Sequence, residues 1–432
     1  MNDRRADEVV ILGGGVIGVC CAYYLAEAGC RVRLVERAAL ASGSSYGNSG
    51  LLTPSAAYPI NMPGIIPKSI KWMLTPNGAF RFRPRPSMQL VRWLRLFQQR
   101  CTESEVDRVT PILRDMIDGS LALFRRLAEL PNAGRFEFSE SGTLALYKSE
   151  YGHHQAQSTA DLLRRFGVTC QPVDSTEVRE RVPNVKPAVR GATFFPEDAH
   201  LIPGEFVSFM ARAAEAAGAT VDTLVGPAEI ESGPKNRIQV RTSSGLLCPE
   251  RVVVATGAWA PFTVRRFGLW LPIEPGKGYS IQFRHGPRTS VPLRLTEARA
   301  VVSAMGESIR MTARLDLVGM NSNVTKRADS IVKLARKYLN WPRLEEPTGW
   351  AGLRPLTPDS LPIVGPHPAE DRLVLAVGHG QLGVTLGPVT GRLIADFITG
   401  KNVDAKLAPL RADRFQRRLT RAPAERPPVA PS

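Results

Sequence analysis

The chain has 432 residues, which is too long for one small core and predicts two domains, or at most three. Its hydrophobic content of 43% and charged content of 22% are typical of a globular protein. No run of 18 apolar residues predicts a membrane-spanning helix, and the polar N-terminus lacks the apolar core of a secretory signal. These features together indicate a cytoplasmic protein.

The net charge of +16 allows three kinds of partner: nucleic acid, an anionic membrane surface or an acidic substrate. The arginines are dispersed and are densest in residues 81–100 and in the C-terminal tail. Since no long basic run or aromatic RNA-binding motif is present, we expect no nucleic-acid partner. The histidines and cysteines show no metal-ligand spacing, so we expect reduced thiols and no metal site.

A glycine-rich turn follows the first apolar run of the chain. The pattern G-x-G-x-x-G begins at Gly13, and it lies between a predicted buried strand and a predicted helix. Gly13 would permit a tight turn, Gly15 would let a pyrophosphate approach the backbone, and Gly18 would let the helix pack on the strand. Glu36, at the end of a second predicted strand, would accept hydrogen bonds from ribose hydroxyls. The pattern predicts a dinucleotide site without separating NAD from FAD.

The next two segments differ in composition. Residues 40–56 are small, polar and glycine-rich, which favours a loop wrapped around a cofactor over a simple linker. Residues 57–97 contain several prolines, and they mix tryptophans with basic residues. Such a segment suits either an amphipathic contact with a membrane surface or an insertion packed over the core.

The middle of the chain alternates helical and strand-like patterns. Apolar residues at helical spacing predict a helix over 103–130, and further helices are expected over 153–167, 203–217 and 328–339. Residues 135–150 predict a hairpin whose second strand is 143–147. Alternating residues over 271–315 predict an antiparallel sheet.

Two later strands also end in glycine-containing turns. The apolar run before Ala255 leads into Ala-Thr-Gly, where small residues permit contact with a nucleotide. The run 373–377 leads into a glycine turn and a helix over 387–398, which is a second candidate anion site. Strand ends so far apart in sequence imply one discontinuous nucleotide-binding domain.

The ordered set of motifs resembles the FAD-dependent D-amino acid oxidase superfamily, which includes glycine oxidase, sarcosine oxidase and D-amino acid dehydrogenase. The motifs are the opening turn, the loop 42–50, the stretch 252–259 and the pair 352–355 and 378–383. Segments 63–72 and 275–280 are most similar to the D-amino acid dehydrogenase branch.

The resemblance implies an α/β fold with two parts. One is a discontinuous FAD-binding Rossmann-like domain of the glutathione-reductase type, and the other is a substrate domain built on a mixed, largely antiparallel sheet with helices. The FAD-binding segments would be 7–56, 186–268 and 346–405. The substrate-binding segments would be 57–185 and 269–345, and residues 421–432 would form a disordered tail.

The resemblance also implies which residues contact the cofactor. FAD would be bound non-covalently, because the position of the covalent-flavin cysteine, near 361–363, holds no cysteine. The residues implied to bind FAD are Gly13, Gly15, Val16, Ile17, Gly18, Glu36, Arg37, Ser44, Ser45, Asn48, Gly50, Leu51, Ala255, Thr256, Gly257, Gly380, Gln381, Leu382, Gly383 and Val384.

Arg354 stands at the position where the family binds the substrate carboxylate, and a planar guanidinium suits bidentate binding. Tyr279 is a second candidate for this contact, with strand packing as the alternative. His200 and His379 are candidate pocket residues.

The implied reaction is oxidative deamination of D-amino acids to 2-oxo acids. Hydride would pass from Cα to flavin N5, and the electrons would then pass to a quinone or another carrier. The alternatives are oxidation of a cyclic or secondary amine (D-proline, D-hydroxyproline, glycine or sarcosine) by a dehydrogenase or an oxidase and, more remotely, a tRNA-modifying flavoenzyme. Residues 57–97 would place the protein on the inner face of a membrane as a peripheral contact.

Overall fold

The fold is seen in a computed structural model. It describes residues 8–75, 78–233, 237–284, 289–325, 327–341 and 347–415. The tail predicted over 421–432 lies outside these residues. In chain order the strands are β1 (Glu8–Leu12), β2 (Arg31–Val35), β3 (Leu51–Leu52), β4 (Phe80–Phe82), β5 (Thr143–Tyr147), β6 (Gln171–Asp174), β7 (Gly191–Phe195), β8 (Ala199–His200), β9 (Thr220–Asp222), β10 (Glu229–Ser232), β11 (Ile238–Thr242), β12 (Gly245–Leu247), β13 (Arg251–Val254), β14 (Glu274–Phe283), β15 (Leu293–Leu295), β16 (Ala300–Met305), β17 (Ser308–Leu317), β18 (Thr348–Leu356), β19 (Ile363–His367) and β20 (Glu370–Val377).

The helices vary widely in length. In chain order they are α1 (Val16–Glu27), α2 (Ile65–Leu74), α3 (Met88–Gln99), α4 (Glu103–Ala128), α5 (Glu150–Arg165), α6 (Ser175–Arg181), α7 (Pro203–Ala216), α8 (Ala260–Thr263), α9 (Asp329–Ala335), α10 (Gly383–Ile398) and α11 (Asp404–Leu407). In the described ranges, no helix combines the length and hydropathy needed to cross a bilayer.

A six-stranded sheet holds the dinucleotide turn. Its strand order is β19-β20-β13-β1-β2-β9, and all neighbours are parallel except β19 and β20. Helix α1 is apolar on all sides and almost entirely buried, because it packs against α7 and α10 as well as against the sheet. The carboxyl ends of β1, β13 and β20 therefore meet at one edge, which is where parallel sheets bind ligands.

A nine-stranded sheet forms the other half of the molecule. Its order is β18-β14-β17-β16-β15-β5-β7-β6, with β4 added beside β17, and most neighbours are antiparallel. One face packs against α9 through buried residues such as Tyr279 and Ala313. Because side chains alternate along a strand, neighbouring residues such as Thr312 and Arg294 point to the opposite face.

Most predicted elements are confirmed, including the strand 143–147, but its predicted pairing in a hairpin over 135–150 is wrong. The segment before β5 contains a 3₁₀ helix, Ala133–Phe136, and β5 pairs with β7 and β15 instead. The reason is burial: four of the five residues of β5 are buried, so this strand needs a remote partner on each side. The mixed α/β fold and the antiparallel sheet over 271–315 are confirmed. The domain boundaries stay a prediction, and two strands within the proposed FAD-binding segments, β7 and β18, pair in the nine-stranded sheet.

Candidate active site

A cavity of about 1490 Å³ lies between the two sheets. It extends from the carboxyl ends of β1 and β13 to the face of the nine-stranded sheet opposite α9. Pockets for single small ligands are typically ~300–1,000 Å³, so this cavity has room for a dinucleotide and a small substrate together.

The first glycine turn closes the nucleotide end of the cavity. A Cβ atom on Gly18 would lie 1.8 Å from the carbonyl oxygen of Gly13, so only glycine allows α1 to pack this closely against the turn. The carboxylate of Glu36 accepts hydrogen bonds from the backbone N–H of Gly14 (2.6 Å) and of Ala38 (2.9 Å). These bonds fix the carboxylate at the end of β2, where it borders the cavity.

The loop 42–50 connects the two sheets across the cavity. Ser44 Oγ donates to the carbonyl of Leu353 on β18, and Ser45 Oγ accepts from the N–H of Val16 at 3.0 Å. Arg310 Nη1 on β17 donates to the carbonyl oxygens of Tyr46 (2.5 Å) and Asn48 (2.8 Å). The loop is therefore held from both sides and presents its small residues to the cavity.

The second glycine turn, between β20 and α10, borders the same cavity. The N–H of Gly380 donates to the carbonyl of Pro355 at 3.0 Å, and Thr385 Oγ1 donates to the carbonyl of Leu51 at 3.1 Å. His379 Nε2 lies 3.0 Å from Thr390 Oγ1, and burial lowers the pKa of His379 to about 3. This imidazole is therefore neutral at physiological pH, and the N-terminus of α10 supplies the partial positive charge at this end.

Arg354 lies on β18 opposite Gly276, at the centre of the cavity wall. Its guanidinium fits above Gly278, where a Cβ atom would come within 2.5 Å of the guanidinium carbon. Nη1 donates to the carbonyl of Arg314 at 2.9 Å. Within the described part of the chain, no carboxylate forms an ion pair with it. Burial lowers the pKa of Arg354 to about 10, so the group keeps its charge at neutral pH.

The family model described as "FAD dependent oxidoreductase" matches residues 8–397, which is most of the chain. The chain belongs to this family. It is 30% identical over 430 residues to a D-amino acid dehydrogenase of Bradyrhizobium diazoefficiens, an alignment covering 95% of this chain and 100% of the relative. The predicted family and the predicted FAD cofactor are thereby confirmed.

Two solved structures have the same fold at lower sequence identity. Glycine oxidase from Geobacillus kaustophilus is 24% identical with a TM-score of 0.74, and the match covers 95% of this chain and 99% of that chain. L-proline dehydrogenase from P. horikoshii is 21% identical with a TM-score of 0.68, and the match covers 95% and 98%. These similarities confirm the predicted fold class.

The cavity fits FAD because its long nucleotide end offers backbone donors, a helix N-terminus and a ribose-type carboxylate in one continuous space. Most of the residues predicted to bind FAD border it: Gly13, Gly15, Val16, Ile17, Glu36, Arg37, Ser44, Ser45, Asn48, Leu51, Ala255, Thr256, Gly257, Gly380, Gln381, Leu382, Gly383 and Val384. Two do not, since Gly18 lies behind the turn and Gly50 packs against the carbonyl of Leu201.

The other predicted site residues lie in different places. Tyr279 only partly borders the cavity, because its ring is buried on the α9 side and its hydroxyl donates to Asp316 Oδ2 at 3.0 Å. His379 borders the cavity beside α10. His200 is not brought to the cavity wall, since it pairs with Leu51 in β3 and its Nδ1 lies 3.3 Å from Ser141 Oγ.

The part of the cavity bordered by the nine-stranded sheet and α2 is called the substrate end. Four basic residues there were missed by the sequence reasoning: Lys68, Arg294, Arg299 and Arg314. The carboxylates among the described lining residues are Glu36 and Glu229, and the latter lies 3.1 Å from Arg266. No sequence signal marked the four cations, because they are scattered over α2, β15, the turn before β16 and β17. Among the described residues that border the substrate end, these four cations and Arg354 therefore face no carboxylate on the cavity surface.

Proposed function

We propose that this FAD-dependent enzyme oxidises D-amino acids at Cα. The observation that carries the proposal is Arg354, a charged guanidinium on the cavity wall with one backbone hydrogen bond and no acidic partner among the described residues. Such a group binds a substrate carboxylate bidentately and fixes the position of Cα. The name of the Bradyrhizobium relative, D-amino acid dehydrogenase, supports the choice of substrate.

The nucleotide end would hold the cofactor. Gly13 and Gly15 would receive the pyrophosphate, Glu36 the ribose, and the loop 42–50 together with 380–384 would surround the ring. Bound FAD supplies the acceptor for the two electrons and the hydrogen of the Cα–H bond.

The protein's own contribution is positioning and electrostatics. Arg354 holds the carboxylate, and the lack of a described lining carboxylate at the substrate end leaves an ammonium group without a stabilising partner. The neutral amine, whose lone pair forms the imine as Cα loses its hydrogen, is favoured in this environment. Buried Trp93 and half-buried Phe97 on α3 line the same wall and exclude water. The imine then leaves the site and reacts with water to give a 2-oxo acid and ammonia.

The same wall accepts a secondary or cyclic amine, because no described carboxylate selects for a primary ammonium group. D-Proline, D-hydroxyproline, glycine and sarcosine therefore belong in the substrate panel as the second candidate class. Their oxidation would use the same anchor, Arg354.

We also propose that the electrons leave through a quinone or another carrier at a membrane surface. Helix α2 has no buried residue, and Ile66, Ile70 and Leu74 are exposed beside Lys68 and Lys71. An amphipathic helix of this kind binds anionic bilayers. Flotation with vesicles containing anionic lipid tests this contact, and Leu74→Glu, which changes the most exposed apolar side chain of α2 and lies outside the cavity lining, should abolish it. Equal flotation of the wild type and this variant would contradict it.

The central test is anaerobic bleaching of the flavin by a panel of D- and L-amino acids and cyclic amines. Arg354→Leu should keep the flavin spectrum, but kcat/KM for D-amino acids should fall by about 10³-fold, since a charge-assisted bidentate contact is lost. Arg212→Gln, an exposed arginine on α7, is the control. Equal bleaching of Arg354→Leu and the wild type at low substrate would refute the assignment. Peroxide formation compared with dye reduction separates an oxidase from a dehydrogenase.

A further inference from the structure

Arg299 differs from the two other arginines that the sequence reasoning missed at the substrate end of the cavity, Arg294 and Arg314. Arg294 Nη1 donates to Ser55 Oγ at 2.6 Å, and Arg314 donates to Gly78 O and to Ser330 Oγ. Among the described residues, the guanidinium of Arg299 has neither a hydrogen bond nor an ion pair, although it borders the cavity. Its N–H donors are thus available to a ligand.

Trp72 holds this guanidinium in place. The guanidinium carbon of Arg299 lies 3.7 Å from the centre of the Trp72 ring on α2, which is a close cation–π contact. Stacking on an aromatic face leaves the N–H groups at the edge of the guanidinium, where they can bind a carboxylate in its plane. Arg299 is exposed to the open cavity, but desolvation by the surrounding protein lowers its pKa, and the nearby Tyr58 and Tyr151 oppose this effect. Both tyrosines also border the cavity.

The sheet register places Arg299 and Arg354 on the same side of one cavity. Ala300 on β16 aligns through Ala313 and Tyr279 with Ala351 on β18. These three steps between strands span about 14 Å, at about 4.8 Å for each step. Because β16 and β18 run antiparallel, the residue before Ala300 and the residues after Ala351 lie toward the same end of the sheet. Both residues border the same cavity, Arg354 from β18 and Arg299 from the turn just before β16.

We propose that Arg299 is a specificity-determining residue that binds a second anionic group of the substrate. The preferred substrates are then D-2-aminodicarboxylates with side chains longer than that of aspartate, with one carboxylate at Arg354 and the other at Arg299. This inference rests on the proposed function, because it assigns the substrate class of the same site. The substrate end has several cations and no described lining carboxylate. This is more positive charge than the binding of a single substrate carboxylate requires.

Binding can be measured without turnover. The FAD-loaded protein is titrated with succinate, glutarate, adipate, pimelate and suberate, and with hexanoate as a monocarboxylate, while the flavin absorbance is followed. Adipate or a longer dianion should bind more tightly than hexanoate by about 10- to 100-fold, the value of one charge-assisted hydrogen-bonded contact. Arg299→Gln should remove this preference, and Arg299→Lys should retain part of it. The surface control Arg212→Gln should keep it in full.

Turnover then separates the two proposals. The ratio of kcat/KM for D-2-aminoadipate to that for D-norleucine should exceed one and should fall by about 10- to 100-fold in Arg299→Gln, mainly through KM. An equal ratio in the variant and the wild type overturns the role of Arg299, even if both amino acids are oxidised. If the protein binds dicarboxylates selectively but oxidises no D-amino acid, the proposed function is wrong. The role of Arg299 in binding a second anionic group would still be supported.

Discussion

The two ends of the cavity present positive charge by different means. At the nucleotide end, a glycine turn and the N-terminus of a helix border the cavity, and the arginine at position 266 is paired with Glu229. At the substrate end, arginine side chains from separate strands and from the turn before β16 provide the positive charge, and Arg299 and Arg354 have no described acidic partner. Backbone donors require exact packing of small residues, whereas side-chain donors require correct register between strands. We therefore expect one added atom to disrupt the nucleotide end. At the substrate end, we expect disruption when a single guanidinium is moved or removed.

The largest effect is expected at Gly18, where an added Cβ atom meets the carbonyl oxygen of Gly13 at 1.8 Å. Gly18→Ala should lower the free energy of unfolding by roughly 4 kcal/mol, and the protein should lose its FAD on gel filtration. Gly119→Ala on α4 is the matched control, since its Cβ atom would lie 3.6 Å from Val389. A Gly18→Ala protein with full FAD content and an unchanged Tm would show that the turn has room for a methyl group beside the Gly13 carbonyl oxygen.

Gly278 tests the substrate end in the same way. An alanine there places Cβ 2.5 Å from the guanidinium of Arg354, so the guanidinium must move. Gly278→Ala should retain FAD but lose about 10²-fold in kcat/KM, because a small displacement of an anchor misaligns the reacting atom. Gly204→Ala, with its nearest atom at 4.0 Å on Tyr46, is the control. Loss of FAD together with activity would mean that the two ends are not separable.

Glu36 provides a smaller test of the nucleotide end. Glu36→Gln keeps the shape of the side chain but removes the charge that assists its hydrogen bonds, so the Kd for FAD should rise by about 30-fold. Flavin fluorescence on titration of the FAD-free protein measures this change. Glu27→Gln, which removes an exposed carboxylate beside Arg392, should leave the Kd unaltered. An unchanged Kd in Glu36→Gln would exclude a contact between this carboxylate and the cofactor.

His379 gives the smallest expected effect, and its sign follows from the lowered pKa. Folded His379 has a pKa of about 3, while an unfolded histidine has a pKa of about 6.5, so the unfolded chain binds the extra proton between these values. The stabilisation is complete above pH 6.5 and decreases as the pH falls toward 3. When the pH falls from 7 to 5.5, the free energy of unfolding measured in urea should decrease by about 1 kcal/mol less for His379→Asn than for the wild type. A pH dependence of His379→Asn equal to that of the wild type would contradict a burial that disfavours the imidazolium.

Short segments of the sequence were sufficient to predict the structural elements at the nucleotide end of the cavity. The turn that begins at Gly13, the helix after it and Glu36 lie within one short stretch, and the chemistry of each depends mainly on its immediate neighbours. The same is true of α4 and α7, whose apolar periodicity or terminal residues predicted them within a few residues. The hairpin before β5 failed because a buried strand takes its partners from wherever the topology supplies them, and here these are β7 and β15.

By itself the sequence predicted a dinucleotide site from glycine spacing, because that pattern acts over a few residues. Through the resemblance of its ordered motifs it also indicated the family, the FAD cofactor and Arg354 as the candidate anchor. Only the tertiary structure decided what surrounds that arginine. The space above Gly278, the partner of Tyr279 and the meeting of Arg299 with Trp72 all join residues separated by dozens to hundreds of positions. Such contacts depend on strand register and on how the helices pack. The residues next to an isolated arginine in the sequence do not indicate whether it borders the cavity.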